Sequence, residues 1–170
     1  LERFRKDFGS AVYSSVEEMC SKADIDLLYV MTPDEFHAEH AIIGAENGLQ
    51  ILLDKPMGLT LEECDKVIEA TERNNVRVIV GHSQSLDLPI LKMAEIVNSG
   101  ELGKPLMIHT MFYSDWIYRP RQREELMQER GGSIVRRQGP IQVDIVRMIG
   151  GGIVNSVRAA AQVADPNRPI

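Results

Sequence analysis

Cysteine is scarce in this chain. Cys20 and Cys64 are the only two, and neither sits in a CxxC or at a metal-ligand spacing, which argues against a disulfide framework or a thiolate metal knuckle and makes a reduced, cytoplasmic setting the default. Basic residues are outnumbered, 19 against 25 acidic, for a formal net charge of −6; that balance argues against nucleic acid or a membrane surface as the main partner. No apolar run approaches the roughly 20 residues that span a bilayer. No signal peptide opens the chain, and no internal repeat or low-complexity tract interrupts it. It starts at Leu1 rather than Met and closes at Ile170 after a strand-like run, so the expectation is a part of a longer protein. What is present is a globular composition, 44% hydrophobic and 26% charged over 170 residues, enough for one ordinary domain or parts of two.

From Ile25 to Val80 strand and helix patterns alternate. Ile25 to Val30 is a short apolar run, suited to a strand buried on both faces. A capping box, Ser15-x-x-Glu18, predicts a short helix just before it. Asp34 to Asn47 reads as a helix with Ala38, Ala41, Ile42 and Ala45 on one face, and Gly48 stands where a left-handed C-terminal cap belongs. Gln50 to Leu53 reads as a second strand. Thr60-x-x-Glu63 opens a helix expected to bury Leu61, Cys64, Val67, Ile68 and Thr71, and Val76 to Val80 reads as a third strand. The order α-β-α-β-α-β with short loops predicts a parallel sheet. Ligands on such sheets lie beyond the C-terminal strand ends, here Thr32-Pro33, Asp54-Lys55-Pro56 and Gly81-His82.

After Gly81 the rhythm changes. Pro89 to Asn98 reads as a helix ended by Gly100, and Pro105 to Tyr113 as a strand. Trp116 to Arg130 reads as a charged loop with a short helix, broken by Gly131-Gly132. Gly139 to Ile149 is helical, stopped by Gly150-Gly151-Gly152, and Ile153 to Val163 resumes as a strand. The expected division is residues 1–84, the C-terminal part of a dinucleotide-binding domain, and 85–170, the start of a second α/β domain, with the boundary near residues 82–89. The fold class is therefore α/β: a partial Rossmann-like parallel sheet followed by part of an open-sheet α/β domain.

Several side chains stand where chemistry is done. Lys55 follows a buried strand, and Pro56 restricts it to extended backbone; the bland reading is a surface lysine in a βα loop. His37 and His40 are spaced i, i+3, which a metal can use, but no third or fourth ligand is near in sequence, so no metal is expected. His82 lies at a strand end, where it either polarises a substrate or satisfies a backbone carbonyl. His109 falls mid-strand among Met107, Ile108 and Met111 and reads as structural. Tyr113 and Trp116 read as substrate-pocket lining or as core.

Taken in order, Asp26 through Thr32-Pro33 with His37, Lys55-Pro56, Val80-Gly81, Gly100-x-Leu102-Gly103, Gly131-Gly132, Gly139, Asp144 and the glycines from Gly150 resemble the glucose–fructose oxidoreductase/inositol dehydrogenase (Gfo/Idh/MocA) family, from about Phe8 to Ala164. The resemblance implies an oxidoreductase using NAD or NADP. It makes Lys55 and Asp144 catalytic candidates, and Thr32, Pro33, His37, Lys55 and Pro56 cofactor-facing; His82 joins the catalytic candidates from its strand-end position. It also implies a small-molecule substrate, no nucleic-acid or membrane partner, and a homo-oligomer formed through the sheet of the second domain.

Departures from the family pattern are informative. Its Gly-rich phosphate loop would precede residue 1, and its Glu-Lys-Pro is Asp54-Lys55-Pro56. Its Asp-x-Gly-x-His-x-x-Asp helix motif is Arg137-Gln138-Gly139-Pro140-Ile141-Gln142-Val143-Asp144 here, so the usual histidine is Ile141. Arg137-Gln138-Gly139-Pro140, the run Gln142 to Arg147, and Gly81-His82-Ser83 are similar to the phthalate 4,5-cis-dihydrodiol dehydrogenase branch, whose substrates carry carboxylates. Arg137 suits that charge, because a guanidinium grips a carboxylate through two parallel hydrogen bonds; Arg119, Arg121 and Arg136 add positive charge or form a solvated basic loop. The expected reaction is oxidation of a carbinol in a cis-dihydrodiol of an aromatic carboxylate. The alternatives are a sugar or cyclitol dehydrogenase, and a non-catalytic nucleotide- or sugar-binding relative.

Overall fold

The computed structural model describes residues 1–113, 119, 120, 127 and 134–160. It divides into two compact units, residues 1–81 and 82–170.

In the first unit, helix α1 (Glu2–Phe8) ends at Gly9, and helix α2 (Val16–Lys22) begins at Ser15, whose hydroxyl accepts from the Glu18 N–H at 3.1 Å. The Glu18 carboxylate reaches one residue further back than a capping box requires, accepting from the Ser14 N–H at 2.9 Å and the Ser14 hydroxyl at 2.6 Å. Strands β1 (Leu27–Val30), β2 (Gln50–Asp54) and β3 (Val78–Gly81) form a parallel three-stranded sheet in sequence order. The intervening crossovers are helix α3 (His37–Glu46), entered through a 3₁₀ turn at Asp34–Phe36, and helix α4 (Leu61–Arg73). Parallel neighbours need such long crossovers, and these supply them.

Register sorts the sheet into two faces. Leu28, Ile51 and Val78 align in one row and Val30, Leu53 and Val80 in another. These rows meet Ala38, Ala41 and Val67 in a core that also takes in Cys20 and Leu49. Gly44 lets α3 sit tight on the sheet, since a Cβ there would fall 2.6 Å from both Leu28 Cδ2 and Ile51 Cδ1. The other face holds Tyr29, Leu52 and Ile79 in one row. Leu27, Tyr29 and Ile79 on it are 51%, 50% and 66% exposed. The expectation that the first strand is buried on both faces is therefore corrected: among the described residues, helix packing covers one face and side-chain alternation leaves the other open.

Helix α4 also corrects its expected face. Val67, Ala70 and Thr71 are buried, whereas Leu61 is 80% and Ile68 42% exposed. The buried stripe is turned toward Ala70, where a small side chain permits close packing beside α3. The third strand begins two residues later than expected because Val76 N–H is committed to the Thr71 carbonyl and Arg77 N–H to the Gln50 side chain.

The second unit begins with a 3₁₀ turn at Gln84–Leu86, followed by helix α5 (Leu88–Ser99) and helix α6 (Ile134–Gly150). Turn, α5 and α6 pack on one another, with Ser85, Ala94 and Ile145 buried. Helix α6 starts one turn and more before the expected Gly139. Pro140 lies inside it, where it cannot donate to the carbonyl four residues earlier; read from sequence, the Gly-Pro pair resembles a helix start. Gly151 and Gly152, at φ +65° and +81°, terminate it as expected. The strand expected over Pro105 to Tyr113 is not formed, and none is formed over residues 153–160. Alternating apolar residues become a strand only when a neighbour takes up their backbone hydrogen bonds. Here Leu106 and Met107 stay exposed. Trp116 and most of the Trp116 to Arg130 segment, with Gly131-Gly132 and residues 161–163, lie outside the described residues.

Candidate functional site

The register makes the three strand ends level, with Val30 beside Leu53 and Asp54 beside Gly81. This edge carries the loops Thr32-Pro33 and Lys55-Pro56. At Gly81 an added Cβ would meet nothing nearer than the Leu53 carbonyl oxygen at 3.6 Å, so the edge presents open backbone, the surface on which parallel sheets receive ligands.

Each loop is fixed by named contacts. Lys55 N–H donates to Asp54 Oδ1 at 2.9 Å, and the Lys55-Pro56 peptide is cis. Thr32 Oγ1 lies 3.0 Å from His40 Nδ1, and the His40 ring stacks on Phe36 with centroids 5.7 Å apart. His37, read from the sequence as cofactor-facing, is only 1% exposed. Its Nδ1 lies 2.6 Å from the Pro56 carbonyl oxygen and its Nε2 2.8 Å from the Thr32 carbonyl oxygen. The i, i+3 histidines thus both converge on Thr32. The sequence showed their spacing, but it did not show that His40 holds the hydroxyl of a loop residue. Pro33 is exposed and Thr32 half-buried.

The two thiols stand apart from this chemistry. Burial pushes Cys20 up from its ordinary range, with Glu17 adding to the effect. Burial raises Cys64 likewise, reinforced by Glu63 and Asp65. A thiol held protonated is a poor nucleophile. Among the described residues no three His, Cys, Asp or Glu side chains converge as a metal site, and no helix is long and apolar enough to cross a membrane. A hollow of about 660 Å³ is lined by Phe4, Tyr13, Val16, Met19 and His40 among others, rather than by the strand-end loops.

In the second unit, Arg137, Ile141 and Asp144 follow one another at i, i+4 and i+7 on α6 and are all half-buried, so they share a helix face. The Arg137 Nε is buried. Among the described residues no ion pair joins Asp144 to Arg147, the own-helix partner that a structural role for Asp144 would use. His82 opens this unit; its carbonyl accepts from the Ser85 hydroxyl at 3.0 Å, and its Nε2 is buried without a hydrogen-bond partner among the described residues. Tyr113 is 87% exposed, its hydroxyl 3.5 Å from Met111 Sδ. Trp116 lies outside the described residues.

Residues 1–82 match the model of an oxidoreductase family with an NAD-binding Rossmann fold, which sets the class of the protein. Residues 90–169 match the Gfo/Idh/MocA C-terminal domain, and the chain belongs to the Gfo/Idh/MocA oxidoreductase family. It is 40% identical, over 92% of its length and 40% of the relative's, to a 1-carboxy-3-chloro-3,4-dihydroxycyclohexa-1,5-diene dehydrogenase of Comamonas testosteroni. An inositol 2-dehydrogenase of Salmonella typhimurium is 27% identical over 60% of this chain and 31% of that protein. A solved protein of Bordetella bronchiseptica RB50 superposes with a TM-score of 0.94 at 38% identity, over 99% of this chain and 44% of that one. The WlbA dehydrogenase of Bordetella pertussis, solved with NADH and UDP-GlcNAcA, shares the fold at a TM-score of 0.78 and 22% identity, over 89% and 44% of the two chains. The chain spans 40% and 42% of the length of the first two curated relatives it matches.

Proposed function

We propose that the full-length protein oxidises a carbinol of a cis-dihydrodiol borne by an aromatic carboxylate such as phthalate, with NAD or NADP as the electron acceptor. One observation carries this reading: 40% identity to an enzyme named for a dihydroxycyclohexadiene that bears a carboxyl group, in a chain that has Arg137 where the family pattern is acidic.

A bound nicotinamide dinucleotide supplies the hydride acceptor. Thr32 and Pro33 line its loop at the sheet edge, and Lys55 and Pro56 stand at the end of the neighbouring strand. A carbinol C–H bond yields its electron pair only as the hydroxyl gives up its proton, so a proton acceptor or relay must be in reach. With Ile141 in the place of the family histidine, we assign that role to Lys55, either as the neutral amine that takes up the hydroxyl proton or as an ammonium that stabilises the alkoxide while the proton passes to a separate relay. Asp144 is a further catalytic candidate, and His82 is the alternative relay. The product is a ring ketone that tautomerises to the aromatic diol. Arg137 binds a ring carboxylate, a fork-to-fork contact that a lysine would not reproduce. Tyr113 and Trp116 are proposed to contact the ring. Association through the second domain is part of the same reading.

The second reading, a cyclitol or sugar dehydrogenase, is favoured by the inositol 2-dehydrogenase matches. A panel separates the two. Full-length protein is incubated with NAD⁺ or NADP⁺ and with phthalate cis-dihydrodiol, an uncharged cis-dihydrodiol, or myo-inositol, and reduced-nicotinamide absorbance is followed. Fastest turnover of the carboxylated diol is expected. Turnover of myo-inositol alone would overturn the proposal, and no turnover of any would favour a non-catalytic relative.

A further inference from the structure

We propose that His37 is a positioning residue that ties the Thr32-Pro33 loop and the Lys55-Pro56 loop to one another from beneath, so that cofactor loop and lysine loop are set as one piece.

His37 is the first residue of α3 and 1% exposed, so it reaches neither solvent nor a ligand lying on the edge. A buried imidazole must place both nitrogens somewhere. Nε2 faces the carbonyl of Thr32, just past the end of β1, at 2.8 Å, and Nδ1 faces the carbonyl of Pro56, just past the end of β2, at 2.6 Å. Both partners are carbonyl oxygens, which only accept, so the ring is the side of each contact that can donate. Pro56 has no N–H, and its carbonyl is the backbone group next after Lys55 that a side chain can hold. His40, one helical turn on, fixes the Thr32 hydroxyl at 3.0 Å, so the Thr32 side chain is anchored independently of its carbonyl. Two strands meet through the sheet, but the loops beyond their ends have no ladder to align them; the His37 ring takes that place. A catalytic side chain displaced by a fraction of an ångström loses rate, and a second layer of contacts is what prevents it.

The proposal rests on the dehydrogenase reading, and its test separates the two. In the full-length protein, His37→Asn keeps a donor near the position of Nδ1 and loses the one at Nε2; His37→Gln does the reverse. His37→Asn should therefore weaken dinucleotide binding about tenfold by calorimetry with kcat near wild type, and His37→Gln should lower kcat about tenfold with dinucleotide affinity near wild type, each being the loss of one hydrogen bond. A general loss of stability would move both parameters in both variants together. Any pattern other than the opposed one overturns the proposal. Should a variant fail to fold, a crystal structure of the wild-type full-length protein with dinucleotide decides: ring nitrogens on both carbonyls support the tie, and a ring turned to the dinucleotide overturns it. Wild-type protein inert toward every diol would instead fell the dehydrogenase reading, while the affinity and the ring geometry would still report on His37.

Discussion

The hydroxyl of Thr32 lies 3.0 Å from Nδ1 of His40, a contact that joins the loop after β1 to the first turns of α3. It holds the loop from the side chain while the Thr32 carbonyl faces His37. Thr32→Val keeps the shape and deletes the hydroxyl, so it should cost about 0.5–1.5 kcal/mol, the net worth of one hydrogen bond, read as a lowered urea midpoint; Thr32→Ser should recover most of it. A Thr32→Val midpoint equal to wild type would show that the contact contributes nothing.

Core and surface assignments on the first unit give a paired prediction. Leu53 is 0% exposed and Leu61 80%. Leu53→Ala should cost about 2–5 kcal/mol, and Leu61→Ala no more than about 0.5 kcal/mol. Comparable losses in chemical denaturation would mean that Leu61 faces the core, as its place in the apolar periodicity had implied.

Acid should loosen the start of α2. The Ser14 hydroxyl, then Lys22, then the Ser14 N–H draw the Glu18 carboxyl down from an ordinary 4.5 to about 2. A depressed carboxylate contributes stability that is fully present above its unfolded value and is lost as pH falls through its folded one, so the window runs from about pH 4.5 down to about pH 2. Carbon-detected NMR titration of Glu18 should give a midpoint near the lower end, and Ser14→Ala should raise it toward the ordinary value. A wild-type midpoint at the ordinary value would remove the Ser14 contact.

Most of the first unit was legible in the sequence because its signals are local. Ser15 and Thr60 announce their helices through hydroxyls that accept N–H groups three residues on, and Gly48 takes up φ +77° where α3 stops. The faces were less legible. Leu61 and Ile68 match a helical period, but which stripe is buried depends on the neighbour it meets. Pro105 to Tyr113 has strand composition without a described partner, and pairing is not a property of one segment. Among the site residues, the strand-end positions of Thr32 and Lys55 followed from the αβ rhythm. The roles of His37 and His40 did not, since their partners, Pro56 above all, are joined to them only through the fold.

Substrate charge should be read through Arg137. Arg137→Ala in the full-length protein should lower kcat/KM on phthalate cis-dihydrodiol by about 2–5 kcal/mol of transition-state binding, the usual cost of removing one partner of a buried charged pair. It should leave an uncharged cis-dihydrodiol nearly unaffected. Equal losses on the two substrates would move the carboxylate contact elsewhere.

The most direct test of the proposed chemistry follows the hydrogen itself. Full-length protein is given NAD⁺ or NADP⁺ and a phthalate cis-dihydrodiol deuterated at its carbinol carbons, and the nicotinamide is recovered for mass spectrometry, with Lys55→Met run in parallel. The expected result is deuterium on the reduced nicotinamide from the wild-type protein, and none from Lys55→Met although that variant still binds dinucleotide. Reduced nicotinamide without deuterium from the wild-type protein, or transfer undiminished in Lys55→Met, would contradict it.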